Sequence, residues 1–317
     1  MTPPPEAIAV DASDDGWITS DPPGPAHVVR RLVGLPTMLA RHRDLIYTSV
    51  RRELEARFTG TLLGWLWPLV YPVFMFVVYY FIFARLLDLK LPDLPEGLEA
   101  SMGIYMFTGI LIWSGFGEGL VRATNVIVEN GNLIKKLAFP TEILPLNMVL
   151  THLVTMMFGV VAYVAVLHGS ALFMETPIFP PPTAMLAWIP VLLLLQIVFT
   201  FGLGLLLATL QVFVRDTIQV TTLLVTIWMF ITPIFWVANP EVMSSIEPFL
   251  DSLAFNPLYH LIYAWRVVLM SRQPEIAFVG EDSFIGSLGI FAVWSVAVFL
   301  VGYTFFVLSQ RRFADEV

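Results

Sequence analysis

Six apolar stretches, 64–87, 103–121, 144–167, 184–213, 220–237 and 284–308, leave this chain few ways to fold. Each has roughly the 20-residue length that a helix needs to cross a hydrocarbon layer of about 30 Å. In lipid, a backbone N–H or C=O finds no water, so a spanning segment pairs its own polar groups along a helix. The expectation is an all-α integral membrane protein with about six transmembrane helices. Composition agrees: 57% of residues are hydrophobic, 13% are charged, and the mean hydropathy is +0.78, outside the range of soluble domains.

The flanking segments divide the rest. Residues 1–26 hold Pro3, Pro4, Pro5, Pro22, Pro23 and Pro25 among Asp11, Asp14, Asp15 and Asp21, and read as a disordered acidic tail. This stretch lacks the basic start and apolar run of a cleaved signal peptide, so the first span is expected to act as its own insertion signal. Residues 27–63 are expected to form a cytoplasmic or interfacial amphipathic helix region, and 64–317 a transmembrane domain. Between 41 and 58 the chain is strongly charged, yet Leu39, Ile46, Val50, Leu54 and Phe58 recur along one helical side. That pattern suits a helix lying in the membrane interface, its Arg-rich face toward headgroups. A solvated helix packed on a soluble partner is the alternative. Residues 238–283 are too long for a simple turn, and the apolar run 258–270 is too short to cross, which suggests a re-entrant helical hairpin.

Basic residues set the orientation, because short loops rich in Lys and Arg stay cytoplasmic. Arg30, Arg31, Arg41, Arg43, Arg51, Arg52, Arg57, Arg122, Lys135, Lys136, Arg215, Arg311 and Arg312 fall on one side. Only Arg85, Lys90, Arg266 and Arg272 of the 17 fall on the other. Both termini are therefore expected in the cytoplasm, with the re-entrant segment outside.

The apolar runs also limit the chemistry. Ion-coupled carriers hold ionisable groups deep within their spans, and none is evident. Glu118 and Arg122 read as an i,i+4 pair at the cytoplasmic end of the second span, and His152 and His168 lie near span ends. No Gly precedes Lys90, Lys135 or Lys136 in a phosphate-binding loop, so any ATP must be bound by another chain. The absence of cysteine excludes disulfides and thiolate metal sites. A net charge of -8 argues against nucleic acid as a partner. A membrane glycosyltransferase would want paired carboxylates near a sugar-nucleotide site, and no such constellation is found.

Three motifs carry more specific readings. Pro68 and Pro72 each remove a backbone donor from an apolar helix, shaping either a channel wall or an ordinary kinked packing helix. Asn130, Gly131 and Asn132 stop one helix and cap the next. Leu133, Ile134, Leu137 and Phe139 then give a short helix an apolar knob beside Lys135 and Lys136. Such a knob either seats in a groove of a partner or belongs to a loop that touches only headgroups. Aromatic residues make up 14% of the chain. Trp67, Tyr71, Phe74 and Phe81 share one helical face by spacing, as do Trp228 and Phe235. These stripes suit a channel-lining wall, though packing and interfacial belts use the same residues.

The run Arg57-Phe58-Thr59-Gly60-Thr61-Leu62-Leu63-Gly64-Trp65-Leu66-Trp67-Pro68 with Pro72 resembles the start of the first span in polysaccharide-exporting ABC permeases. That family includes the O-antigen, teichoic acid, capsule and mycobacterial galactan exporters. Phe58 stands where the family usually has Tyr, and Thr61 where it has Ser. The loop from Asn130 through Pro140, with Glu142 and Pro145, is similar to the family's second signature throughout. Arg215-Asp216, Pro233, and Asn256-Pro257 with Arg266 resemble later family positions, so the likeness runs from about Leu39 onward. It implies an inner-membrane permease that exports lipid-linked polysaccharide as a homodimer. Two separate ATPase subunits would hold ATP and magnesium, with no cofactor on this chain. Asn130 to Pro140 would couple to those subunits. Arg51, Arg52, Arg57 and Phe58 would belong to an interfacial gate helix, and Asn256, Pro257 and Arg266 to the re-entrant region. The runner-up is an ABC permease for a drug or small lipid, and an ion-coupled carrier is more remote.

Overall fold

The computed structural model describes residues 24–87, 101–136, 140–167, 169, 184–238, 248–270 and 284–317, and every regular element among them is helical. Expectations for residues 1–23, Lys90, Leu137, Phe139, His168 and Arg272 fall outside these residues.

The N-terminal region forms two helices, α1 (Pro25–Arg41) and α2 (Arg43–Phe58), broken at His42. Pro25 supplies a preset φ at the start of α1. Helical structure thus starts well before residue 41, because the apolar register extends backward through Leu35 and Val28, both buried against the membrane helices. Leu54 is buried on α2, and Leu39 and Ile46 pack on the same core.

The first expected span is a continuous helical rod from residue 64 to 86. It comprises a 3-10 turn (Gly64–Leu66), α3 (Trp67–Tyr79) and a π-helical turn (Tyr80–Leu86). The two prolines differ in consequence. Pro68 lies in the first turn of α3, where its missing N–H is one the helix leaves unpaired anyway, so only Pro72 breaks the ladder. Then come α4 (Ser101–Glu129), the short α5 (Gly131–Lys136) and α6 (Ile143–Leu167). They are followed by α7 (Ile189–Phe213), which continues a 3-10 turn over Ala184–Trp188, and by α8 (Thr217–Ile231). The remainder is α9 (Leu250–Ala254), α10 (Pro257–Met270), α11 (Phe284–Ser309) and α12 (Phe313–Glu316).

Among the described residues, four stretches are long and apolar enough to cross a membrane: Met102–Glu129, Ile143–Val166, Ala184–Phe213 and Phe284–Arg312. Two shorter apolar helices, Leu69–Ile82 and Thr217–Ile231, occupy the first and fifth expected spans. In the α4 stretch 78% of the apolar window is buried, against 22% for the last span, which makes α4 the packing axis and α11 a peripheral helix. Helices α6 and α7 pack on α4, and α11 packs on α7.

The fifth span ends earlier than expected. Thr232 is extended at ψ 138°, as the residue before Pro233 must be, and α8 stops at Ile231. The seven-residue spacing of Trp228 and Phe235 therefore does not place them on one helical face. Trp228 enters an aromatic core with Phe116, Phe199 and Phe291 (neighbouring ring centroids 5.4–6.5 Å), while Phe235 stacks on Phe230 at 5.5 Å.

Candidate functional site

Two places bring the sequence-selected residues together. The first is a cavity of about 520 Å³ among α3, α4 and α6. Trp67, Tyr71, Pro72, Met75 and Tyr79 line one wall, Phe107, Ile110, Leu111, Ser114 and Glu118 the next, and His152, Thr155 and Met156 the third. Arg57, in the last turn of α2, and Thr61, in the turn that enters the span, line it as well. Pro72 and the π turn beyond Tyr79 shape α3 where it borders this space, and both are devices that let a helix depart from regular packing.

Of the expected channel-lining aromatics, Trp67 and Tyr71 reach this cavity. Phe74 on α3 and Phe81 in the π-helical turn that follows lie elsewhere, 59% and 60% exposed, and Trp228 and Phe235 belong to the packing just described. Arg51 pairs with Glu55 at 2.7 Å along the exposed side of α2, where Arg52 is also exposed. Arg57 instead turns inward to His152.

The polar residues of the cavity are ones the sequence reading passed over or assigned differently. Arg122 reaches Glu129 at 3.6 Å and Glu53 at 3.9 Å, whereas Glu118 faces His152 at 4.0 Å. The expected Glu118–Arg122 pair is thus replaced by a contact two turns along α4 to Glu129 and by contacts across to α2 and α6. Ser114 and Glu118 are one turn apart, as are His152 and Thr155, so each pair marks a polar strip on an otherwise apolar helix. That spacing was the available signal.

The second place is the loop after α4. Asn130 ends the helix by donating its Nδ2 to Val126 O at 2.8 Å, and its own carbonyl accepts from Leu133 N and Ile134 N to start α5. Leu133 and Ile134 are half-buried against the chain's own core, so the face left outward carries Asn132 and Lys135. Pro140 is buried where the loop returns. Gly131 packs against the side chain of Val317, which would have to shift to admit a Cβ there.

A buried polar bracket, which sequence reading missed, stands behind this loop. Arg31 of α1 donates to Glu142 Oε1 at 2.9 Å and to Gln310 Oε1 at 2.7 Å. Gln310 Nε2 donates to Thr141 at 2.7 Å, and the Tyr303 hydroxyl donates to Arg31 O at 3.1 Å. The N-terminal helix, the loop that follows α5 and the C-terminal end are thereby tied at one point. Burial pushes the Glu142 carboxyl above its ordinary range, and the Arg31 guanidinium pulls it back.

The residues of the expected re-entrant region form a joint between helices. Asn256 Oδ1 accepts from Trp228 Nε1 at 2.9 Å and from Leu258 N at 3.1 Å, while its Nδ2 donates to Thr232 at 3.0 Å. It therefore caps α10, with Pro257 at the first helical position, and fastens that helix to the end of α8. Arg266, fully inside, donates to Pro233 O at 2.7 Å and Tyr105 O at 3.1 Å, with its guanidinium 3.4 Å from the Tyr105 ring centroid.

Comparison with known proteins accords with this arrangement. The chain is 25% identical over 274 residues to the O-antigen export system permease protein RfbA of Klebsiella pneumoniae, covering 86% of this chain and 94% of the relative. It is 27% identical over 289 residues to the protein of the same name from Myxococcus xanthus, covering 90% of this chain and 100% of the relative. Residues 44–270, from the start of α2 to the end of α10, match the ABC-2 type transporter family, and the chain belongs to that family.

Proposed function

We propose that this chain is the permease subunit of an ATP-driven exporter that moves lipid-linked polysaccharide across the bacterial inner membrane. The observation that carries the reading is the family match over 44–270 together with relatives that are O-antigen export permeases over nearly their whole length. The chain works as a homodimer with two copies of a separate ATPase, and both termini and α5 face the cytoplasm. Residues 64–317 are the permease domain, residues 27–63 lie at its cytoplasmic interface, and α9 and α10 form the outer re-entrant pair. Tyr71 and Phe74 on α3, Phe81 in the π-helical turn beyond it, and Leu223, Leu224, Ile227 and Phe230 on α8 are all exposed large hydrophobic residues. Such faces suit lipid, a second copy, or the wall of a path between two copies. Export of a small amphiphile is the second reading, favoured by the modest cavity of about 520 Å³.

The loop from Asn130 to Pro140 is the ATPase contact, with Phe139 as apolar anchor and Lys135 and Lys136 as electrostatic guides. Truncating a buried anchor at an interface costs roughly 2 kcal/mol or more, whereas an exposed charge contributes much less. Phe139→Ala is therefore expected to lower co-purification of the ATPase far more than Lys136→Ala, measured on membranes with equal amounts of permease. Undiminished ATPase recovery with Phe139→Ala would remove the loop from the interface.

A further inference from the structure

The charges around the α3–α4–α6 cavity are arranged for a ligand with two opposite charges of its own. His152 Nδ1 lies 2.7 Å from Met148 O, and a carbonyl only accepts, so that nitrogen carries the proton. Nε2 is then the acceptor for the Arg57 guanidinium, which fixes a neutral imidazole and aims Arg57 along the cavity wall. Among the described residues no carboxylate lies within ion-pair distance of Arg57. Glu118 lines the same cavity, 64% exposed, and its near contact is that neutral imidazole at 4.0 Å. Arg122, one turn along α4, is engaged with Glu129 and Glu53 instead.

A cation and an anion thus border one space outside direct ion-pair distance, both set against the same uncharged imidazole nitrogen, His152 Nε2. Past them the walls turn apolar, with Met75, Phe107, Ile110 and Leu111 leading along the spans, while Trp67 and Tyr71 flank the charged end. A simple anionic headgroup would meet Glu118 unfavourably, and a purely cationic one would meet Arg57. An ethanolamine phosphate satisfies both. Its phosphate accepts from Arg57, its primary ammonium donates to Glu118, and the aromatic rings favour a cation beside them. We propose that this cavity is a binding site for an aminophospholipid of the ethanolamine type, held by its headgroup between Arg57 and Glu118 with an acyl chain along the α3–α6 wall. The assignment needs only that these helices lie in a membrane, and it is independent of which glycan is exported.

The test is native mass spectrometry of the full-length protein, purified in detergent and titrated with phosphatidylethanolamine, phosphatidylglycerol or soluble glycerophosphoethanolamine. Wild type is expected to favour phosphatidylethanolamine over phosphatidylglycerol by about threefold, the scale of one partly exposed charge pair. Glu118→Gln, at an exposed position, should bring that ratio close to one. Arg57→Gln should weaken both lipids, and Arg57→Lys should restore much of the binding. Equal affinity for the two lipids in wild type, or an unchanged ratio in Glu118→Gln, would overturn the assignment. Displacement of the lipid by equimolar glycerophosphoethanolamine would also overturn it, since the apolar wall would then contribute nothing.

Discussion

Gly302→Ala is expected to remove most of the folded protein, while Gly289→Ala on the same helix should leave it intact or slightly more stable. The opposite outcomes arise because alanine is the better helix former by about 1 kcal/mol, so intrinsic propensity favours both changes. At Gly289 nothing lies within 4 Å of the added carbon, and the propensity term stands alone. At Gly302 the added carbon overlaps the carbonyl of Gly202, and a carbon on Gly202 would in turn come within 2.7 Å of Phe299 N. Backbone meets backbone at this crossing of α7 and α11, so no side chain can yield. The helices must separate, and contacts along both are lost. Small residues are the usual means of such close approach in membranes, where packing rather than water drives association. A loss above about 3 kcal/mol is expected, beyond ordinary overpacking, which strains side chains that can shift. Detergent-resistant monodisperse protein, measured by fluorescence size exclusion with heating, reads the difference. Equal profiles for the two variants would show that the α7–α11 crossing is not as close as described.

Arg31→Met is the second large effect. It leaves the Glu142 carboxylate, whose side chain is 1% exposed, in a buried site without its counter-charge. Breaking a buried pair from one side typically costs about 3–5 kcal/mol, because the remaining charge has lost its hydration and gained nothing. Protonation relieves that cost. In the variant the folded-state carboxyl is raised further above its unfolded value, so the missing stability should return as pH falls and grow as pH rises. Melting curves between about pH 8 and 5 should therefore converge on wild type toward the acid end. Adding Glu142→Met to Arg31→Met should recover stability, since the stranded charge is gone. A deficit independent of pH and unrelieved by the double substitution would mean that Arg31 acts through packing alone.

The membrane class and the apolar runs were legible because lipid imposes one rule on the backbone over about 20 residues, and that rule is local. Local chemistry also explains the Asn256-Pro257 pair, which is a cap followed by a first-turn proline. What escaped the sequence depended on partners far along the chain. The charged residues Arg30 and Arg31 obscured the apolar register of α1, which becomes evident only when Val28 and Leu35 meet the core. Ser114 and Glu118 share a cavity with His152 and Thr155 because α4 and α6 pack together. No spacing within either helix contains that information. The Trp228–Phe235 stripe failed for a local reason that could have been read: Pro233 lies between them and ends the helix register on which the spacing argument depended.

In the function proposed above, this chain carries a lipid-linked polysaccharide out of the cytoplasm. The direct measurement follows newly made, radiolabelled glycan in cells depleted of the chain and asks whether it reaches an impermeant glycosidase in the outer compartment. Depletion is expected to leave synthesis intact with the labelled glycan digested only after lysis, and restoring the wild-type chain should return it to the enzyme's reach. Glycan equally accessible with and without the chain would contradict the claim.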